Sequence, residues 1–251
     1  MLVLKNVSKK YGQSDGIEEI HLTLRKNKMI AFIGPNGAGK STLLSVISQF
    51  LRRDTGEIYL DEQELKTWHS KDLAKRLASM RQTNTTTLNL TVRELVSFGR
   101  FPYSKGRLTK EDKKIVVRAI KQVNLEKFAE KSILTLSGGQ LQRAYIGLIL
   151  AQDTPYILLD EPLNNLDMSN AKEIMTLLKK LVKEHDKTIC IVLHDINFAS
   201  CYADEIVAMK NGKIFDTGKT SEVIESKKLT ELFGCIIPIK EINGQKFCLY
   251  F

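Results

Sequence analysis

The sequence predicts an α/β protein built on a parallel central sheet, with a helical segment inserted into it. Three observations carry this. Met29 to Ile33 is an unbroken apolar run that leads straight into Gly34-Pro35-Asn36-Gly37-Ala38-Gly39-Lys40-Ser41, the strand, glycine loop and helix order of a phosphate cradle. Apolar strand-like runs return at Tyr156 to Leu159 and Thr188 to Leu193, separated by a helical stretch from about Asn170 to Glu184, which is βαβ alternation. Between these strand-bearing parts, residues from roughly 85 to 150 read as mostly helical, which points to an insertion.

The elements follow in order. Leu2 and Leu4, then Ile20, Leu22 and Leu24, alternate with polar residues and predict strands with one buried face each. Ile58-Tyr59-Leu60 predicts another strand, and Ser70 is placed to cap a helix through about Leu77. Thr83 to Asn89 is polar and threonine-rich, hence a loop. Thr91-Val92-Arg93-Glu94 is a capping box that opens a helix to about Phe98. Gly99 to Gly106 reads as a loop, and Thr109 with Asp112 caps a helix through Val123. Ile206 to Met209 and Lys213 to Phe215 flank Asn211-Gly212, a strong hairpin signal, and a second Asn-Gly turn at Asn243 divides Ile236 to Phe251. Neither glycine motif recurs, so the chain holds one nucleotide module.

Bulk properties narrow the class. A chain of 251 residues accommodates one large α/β domain or a core with a subdomain. The longest apolar stretches, such as Ala144 to Ala151, fall short of the roughly 20 residues a bilayer span needs. Polar residues follow Met1-Leu2-Val3-Leu4-Lys5 at once, so no signal peptide is visible and a cytoplasmic protein is expected. Cys190, Cys201, Cys235 and Cys248 form no CxxC pair, which excludes metal-ligand spacing and fits a reduced compartment. The net charge of +9 is scattered, and Lys110 to Lys114 is diluted by Glu111 and Asp112. With no arginine-rich arm and no aromatic-basic interleaving, no nucleic-acid partner is expected.

The chemistry concentrates in three motifs. In Gly34 to Ser41 the glycines let backbone N–H groups converge on phosphates, Lys40 reaches the β/γ-phosphates, and the Ser41 hydroxyl can ligate Mg²⁺. Tyr156-Ile157-Leu158-Leu159-Asp160-Glu161-Pro162 ends an apolar strand in two carboxylates. They can divide the labour, with Asp160 holding Mg²⁺ through water and Glu161 polarising an attacking water as general base. Leu136-Ser137-Gly138-Gly139-Gln140 bares a second set of N–H groups at a helix N-terminus, a place that attracts anions. One nucleotide is not expected to need two complete cradles from one chain.

In this order and spacing, over nearly the whole chain, the three motifs resemble those of an ATP-binding-cassette (ABC) ATPase. The resemblance implies a nucleotide-binding domain with a RecA-like parallel sheet core, an N-terminal antiparallel β subdomain and an inserted helical subdomain. Residues 1–84 and 156–251 then form the β subdomain and α/β core, and residues 85–155 the helical subdomain with the signature. It also implies that two copies bind ATP head to tail. Each nucleotide is held between Gly34, Pro35, Asn36, Gly37, Ala38, Gly39, Lys40, Ser41 and Thr42 of one copy and Ser137, Gly138, Gly139 and Gln140 of the other. By the family pattern, Tyr11 stacks on adenine, Gln82 meets Mg²⁺ and the attacking water, and His194 contacts the γ-phosphate. Lys40, Gln82, Glu161 and His194 form the catalytic set, and Ser41, Gln82 and Asp160 the Mg²⁺ set. Asp167 matches the acidic residue that meets the opposite cassette, or else simply caps the helix after it. His21, His69 and His185 match nothing. Asn27-Lys28 and Asp61-Glu62 depart from the family's usual Gly-Glu and Asp-Gly turns, which bears only on local turn geometry.

A finer resemblance lies in Phe98-Gly99-Arg100-Phe101-Pro102-Tyr103, Gly106-Arg107-Leu108-Thr109 and Asn164-Asn165-Leu166-Asp167-Met168. These segments are similar to ATPase subunits of bacterial iron–siderophore importers, nearest the catecholate type exemplified by petrobactin. That implies integral-membrane permease partners, indirectly a substrate-binding lipoprotein, and a place on the cytoplasmic face of the membrane. The alternatives are the cassette of another importer or exporter (metal, vitamin B12, haem, drug), a soluble ABC ATPase, and a non-hydrolysing regulatory cassette. Intact Lys40, Glu161 and His194 argue against the last.

Overall fold

Two long strands open the chain, β1 (Leu2–Tyr11) and β2 (Asp15–Leu24), paired antiparallel with Leu2 opposite Leu24 and Leu4 opposite Leu22. The computed structural model describes residues 1–12, 15–82 and 88–250. β3 (Met29–Ile33) leads through the glycine loop into α1 (Lys40–Ile47), followed by β4 (Thr55–Leu60) and the short β5 (Gln63–Glu64). The first sheet has the order β2-β1-β4-β5, and each of its pairs is antiparallel. The two unusual turns are satisfied locally. Asn27, Asp61 and Glu62 all take positive φ, at 57°, 50° and 69°, and the Asp61 carboxylate accepts from Tyr156 Oη at 2.6 Å and pairs with Lys26 Nζ at 2.7 Å.

α2 (Ser70–Leu73) and β6 (Leu77–Met80) come next and correct the expected helix through Leu77. The helix lasts one turn, and its N-cap is His69, without a side-chain bond, rather than Ser70. A single turn repays little of its nucleation cost, whereas Leu77 to Met80 pair in parallel with Tyr156 to Leu159 and gain a full ladder. Of the loop expected over Thr83 to Asn89, only Leu88 and Asn89 lie among the described residues, and neither belongs to a helix or strand.

α3 (Val92–Ser97) opens on the expected capping box, with Thr91 and Glu94 bonding reciprocally. The stretch expected as a loop, Gly99 to Gly106, is largely helical. A 3-10 turn at Phe98–Arg100 runs into α4 (Phe101–Ser104), which Lys105 and Gly106 close at φ 50° and 88°. Pro102 lies in the first turn, where no N–H is required. Gly99 is there for contact rather than for a turn, since a Cβ on it would lie 2.3 Å from the Leu148 carbonyl. α5 (Lys110–Gln122) starts at the expected Thr109–Asp112 capping box, and α6 (Gly138–Gln152) carries the second glycine motif at its N-terminus.

β7 (Tyr156–Asp160), α7 (Met168–His185), β8 (Thr188–Val192), α8 (Ile196–Tyr202), β9 (Glu205–Lys210) and β10 (Lys213–Lys219) return the chain to the large sheet. Its order is β10-β9-β3-β8-β7-β6, parallel throughout except for the β9–β10 hairpin at Asn211-Gly212. α9 (Thr220–Val223) and α10 (Ser226–Phe233) precede a terminal hairpin, β11 (Ile239–Ile242) and β12 (Gln245–Cys248), which turns at Asn243-Gly244.

The large sheet divides the apolar interior in two. Along β3, Met29, Ala31 and Ile33 face a core shared with α3, α5, α6 and α7, while Ile30 and Phe32 face one shared with α1 and the antiparallel sheet. Ile157 and Leu159 against Tyr156 and Leu158 of β7 repeat the split, as do Ile189 and Ile191 against Cys190 and Val192 of β8. Strands apolar on both faces read as unbroken runs for this reason. No helix among the described residues is long and apolar enough to cross a membrane.

Candidate functional site

Because β3, β8, β7 and β6 run parallel, their C-terminal ends meet at one edge, where ligands of open α/β sheets bind. β3 delivers Gly34 to Ser41, β7 delivers Asp160 and Glu161, β8 is followed by His194, and β6 by Gln82. A cavity of about 560 Å³ opens there, walled by the loop from Asn36 to Thr42, by Gln82, Glu161 and His194, and by Tyr11 at its rim. Tyr11 is half exposed.

Glycine is obligatory at two points of the loop. Gly34 has φ 144°, and a Cβ there would lie 2.1 Å from the Met209 carbonyl. Gly39, at φ 95°, is the N-cap of α1, and its Cβ would meet Ile17 at 2.8 Å. Lys40 folds back under the loop, where its Nζ donates to the carbonyls of Gly34 and Pro35 at 2.8 Å each. Burial pulls the Lys40 ammonium below its usual pKa, against the opposing charges of Glu161 and Asp160.

Ser41 Oγ donates to Asp160 Oδ1 at 2.8 Å. Burial pushes the Asp160 carboxyl above its usual range, the Ser41 bond opposing and the Glu161 charge adding to it. No group of three or more His, Cys, Asp or Glu placed to hold a metal occurs among the described residues. One hydroxyl and one carboxylate suit Mg²⁺, which keeps several waters and takes phosphate oxygens rather than a full protein cage.

Glu161 sits at φ 50°, a left-handed conformation costly for a non-glycine residue and found where surroundings over-determine it. Its surroundings do so here. Gln82 Nε2 and Asn164 Nδ2 both donate to Oε2, at 2.6 and 2.7 Å, while His194 Nε2 lies 2.6 Å from Oε1. One carboxylate oxygen is thus tied by two amides and the other faces an imidazole, the geometry of an oriented proton acceptor. Gln82 joins Glu161 rather than the Ser41–Asp160 pair.

The second cradle lies outside this cavity. Ser137 Oγ accepts from Gln140 N, and Gln140 Oε1 accepts from Ser137 N, so the pentapeptide builds a capping box at the start of α6. Gly138 and Gly139 press on the loop after β7, where added Cβ atoms would meet Asn165 at 3.5 and 3.1 Å. Asp167 caps α7, with Oδ1 accepting from Asn170 N at 2.8 Å. The two hydrogen bonds from the Asn170 backbone and side chain hold its carboxyl below the usual range.

Two residues have no site role assigned from the sequence: Asn164, named above only within a longer segment, and Gln142. Asn164 was legible in principle, since it stands three residues after Glu161 in a tight turn. Gln142, buried on α6, donates to the Pro162 carbonyl at 3.0 Å and ties the signature helix to the loop that bears Glu161. No local signal marks it.

The profile of the ABC transporter family matches residues 17–164. The petrobactin import ATP-binding protein YclP of Bacillus subtilis (strain 168) is 53% identical over 251 residues, which is 100% of both chains. The chain belongs to the ABC transporter family. The cassette is also 40% identical to the iron(3+)-hydroxamate import ATP-binding protein FhuC of the same organism, over 89% of this chain and 84% of the other. A solved dimer of a bacterial ABC transporter cassette superposes with a TM-score of 0.79 at 33% identity, covering 88% of this cassette and 99% of the other. The antiparallel sheet, parallel core and intervening helices are those of an ABC cassette.

Proposed function

We propose that this cassette is the ATP-hydrolysing subunit that energises a bacterial importer of iron–siderophore complexes. The observation that carries the reading is the Glu161 carboxylate, held by Gln82, Asn164 and His194 at the mouth of the glycine loop. In this reading the N–H groups of Gly37 to Ser41 and the Lys40 ammonium bind the phosphates, and Tyr11 stacks on adenine. Ser41 and Asp160 would hold Mg²⁺, which when bound neutralises phosphate charge and fixes its orientation, while Gln82 bonds to Glu161 and orients the base. Glu161 accepts the proton of the attacking water, and His194 contacts the γ-phosphate.

The capped N-terminus of α6 supports a dimer. It presents Ser137 to Gln140 away from the chain's own cavity, so it serves the nucleotide of a second copy, where its dipole favours phosphate. The segment over residues 85–155 is the part we assign to permease contact, with Phe98 and Phe101 about half exposed on it. In this reading the cassette sits on the inner face of the membrane, bound to permease subunits that a substrate-binding lipoprotein serves. The relatives named for petrobactin and for ferric hydroxamate import support an iron–siderophore cargo and, as a class, a catecholate one at the higher identity.

The test is co-purification of the tagged chain with its permease, followed by uptake of iron chelates by cells that lack and regain the gene. Loss and recovery of catecholate uptake is expected. Unchanged uptake of all iron–siderophores contradicts the import reading.

A further inference from the structure

The terminal hairpin has no part in the reading above, yet its bonds converge on the residue after His194. Tyr250 Oη donates to Asp195 Oδ1 at 2.7 Å, the same oxygen that accepts from Asn197 N at 2.8 Å to cap α8. The Asn197 side chain then pairs with the Cys248 peptide at both ends. Its Nδ2 donates to the Cys248 carbonyl at 3.1 Å, and its Oδ1 accepts from Cys248 N at 2.8 Å. One turn on, Ser200 Oγ donates to the Lys246 carbonyl at 2.6 Å.

α8 is therefore gripped on two sides. Ile196 and Ala199, three apart and buried, face the core, while Asn197 and Ser200, also three apart, face the hairpin. The hairpin is itself anchored, because Lys246 Nζ donates to the carbonyls of Ser221 and Ile224. At the other end of the loop, Leu193 N donates to the Phe32 carbonyl at 3.1 Å. His194 thus spans a fixed strand end and a helix start whose orientation the hairpin sets.

We propose that the C-terminal hairpin positions His194 against Glu161, with Tyr250 and Asn197 as the positioning residues. This rests on the reading of His194 as a participant in hydrolysis. Tyr250 and Asn197 act on the loop and not on the nucleotide, so their loss misplaces the imidazole without touching the phosphate-binding groups.

The test measures steady-state ATPase rates of Tyr250→Phe, Asn197→Ala and His194→Ala, alone and combined, with ¹⁵N spectra of the histidine rings. Tyr250→Phe keeps the ring and removes one hydroxyl, so it spares the fold. It is expected to lower kcat about three- to tenfold, the worth of one hydrogen bond, while leaving the KM for ATP unchanged and moving the His194 resonances. In a His194→Ala background it is expected to change nothing further. If His194→Ala cripples hydrolysis while Tyr250→Phe and Asn197→Ala leave kcat and the His194 resonances as they were, the positioning role is overturned and the His194 reading stands. Equal losses with and without His194 overturn it too. A His194→Ala chain with full activity removes the reading on which the proposal rests.

Discussion

Arg100 and Asp112 form an ion pair that is buried on both sides, Nε to Oδ1 at 2.8 Å, each side chain 7% exposed. The same guanidinium donates to the Ala151 carbonyl at 3.0 Å and lies 3.9 Å from the Tyr103 ring centroid. One arginine thus ties α4, α5 and α6 together. Removing it leaves a carboxylate buried without its partner, so Arg100→Met is expected to destabilise the chain by about 3 kcal/mol in urea unfolding.

Asp112 makes the pair sensitive to acid. The Thr109 hydroxyl, ahead of the Arg100 guanidinium, holds its carboxyl below the ordinary range against an upward push from burial. A folded pKa below the unfolded one gives stability that is present above the unfolded value and is lost as pH falls through the folded value. The stability difference between the native chain and Asp112→Asn is therefore expected at neutral pH. It should begin to narrow below about pH 4 and go on narrowing as the pH falls further, and a difference in thermal melts that does not narrow on acidification contradicts this account.

Glu62 offers the opposite sign. It is exposed at φ 69°, where a glycine escapes the Cβ clash. Relief of left-handed strain exceeds the entropy a glycine adds to the unfolded chain, so Glu62→Gly is expected to stabilise by about 0.5 kcal/mol. Chemical denaturation reads this directly.

The signals read correctly from sequence are those complete within a few residues. The Thr91–Glu94 and Thr109–Asp112 boxes, the Asn211-Gly212 hairpin and the Gly34–Ser41 loop each need only neighbours to form. β6 was missed because its reason to exist is Tyr156 to Leu159, some 79 positions on by its register, Leu77 with Tyr156. The helical turn through Gly99 was missed because that glycine answers to Leu148, which no local pattern reveals. In the site, Lys40, Asp160, Glu161 and Ser41 announced themselves by motif. Gln142 and the Tyr250–Asp195 bond did not, since each joins segments that only folding brings together.

Ser137 caps α6 and, in the proposed dimer, also faces the second copy, and mutation can separate the two. As N-cap it holds Gln140 N, so Ser137→Ala is expected to cost about 1 kcal/mol of stability. Ser137→Arg adds bulk and positive charge at the surface assigned to the second copy. It is expected to retain ATP binding by the monomer and to lose ATP-dependent dimerisation on gel filtration. Dimers that persist contradict the assignment of the signature to the partner's nucleotide.

In the proposed function the Glu161 carboxylate takes the proton of the attacking water. Glu161→Gln keeps the shape and a hydrogen-bonding oxygen but removes the base, so the expected outcome is unchanged ATP affinity, hydrolysis reduced by at least about a hundredfold, and a stable ATP-bound dimer. Hydrolysis by Glu161→Gln at the native rate contradicts the account.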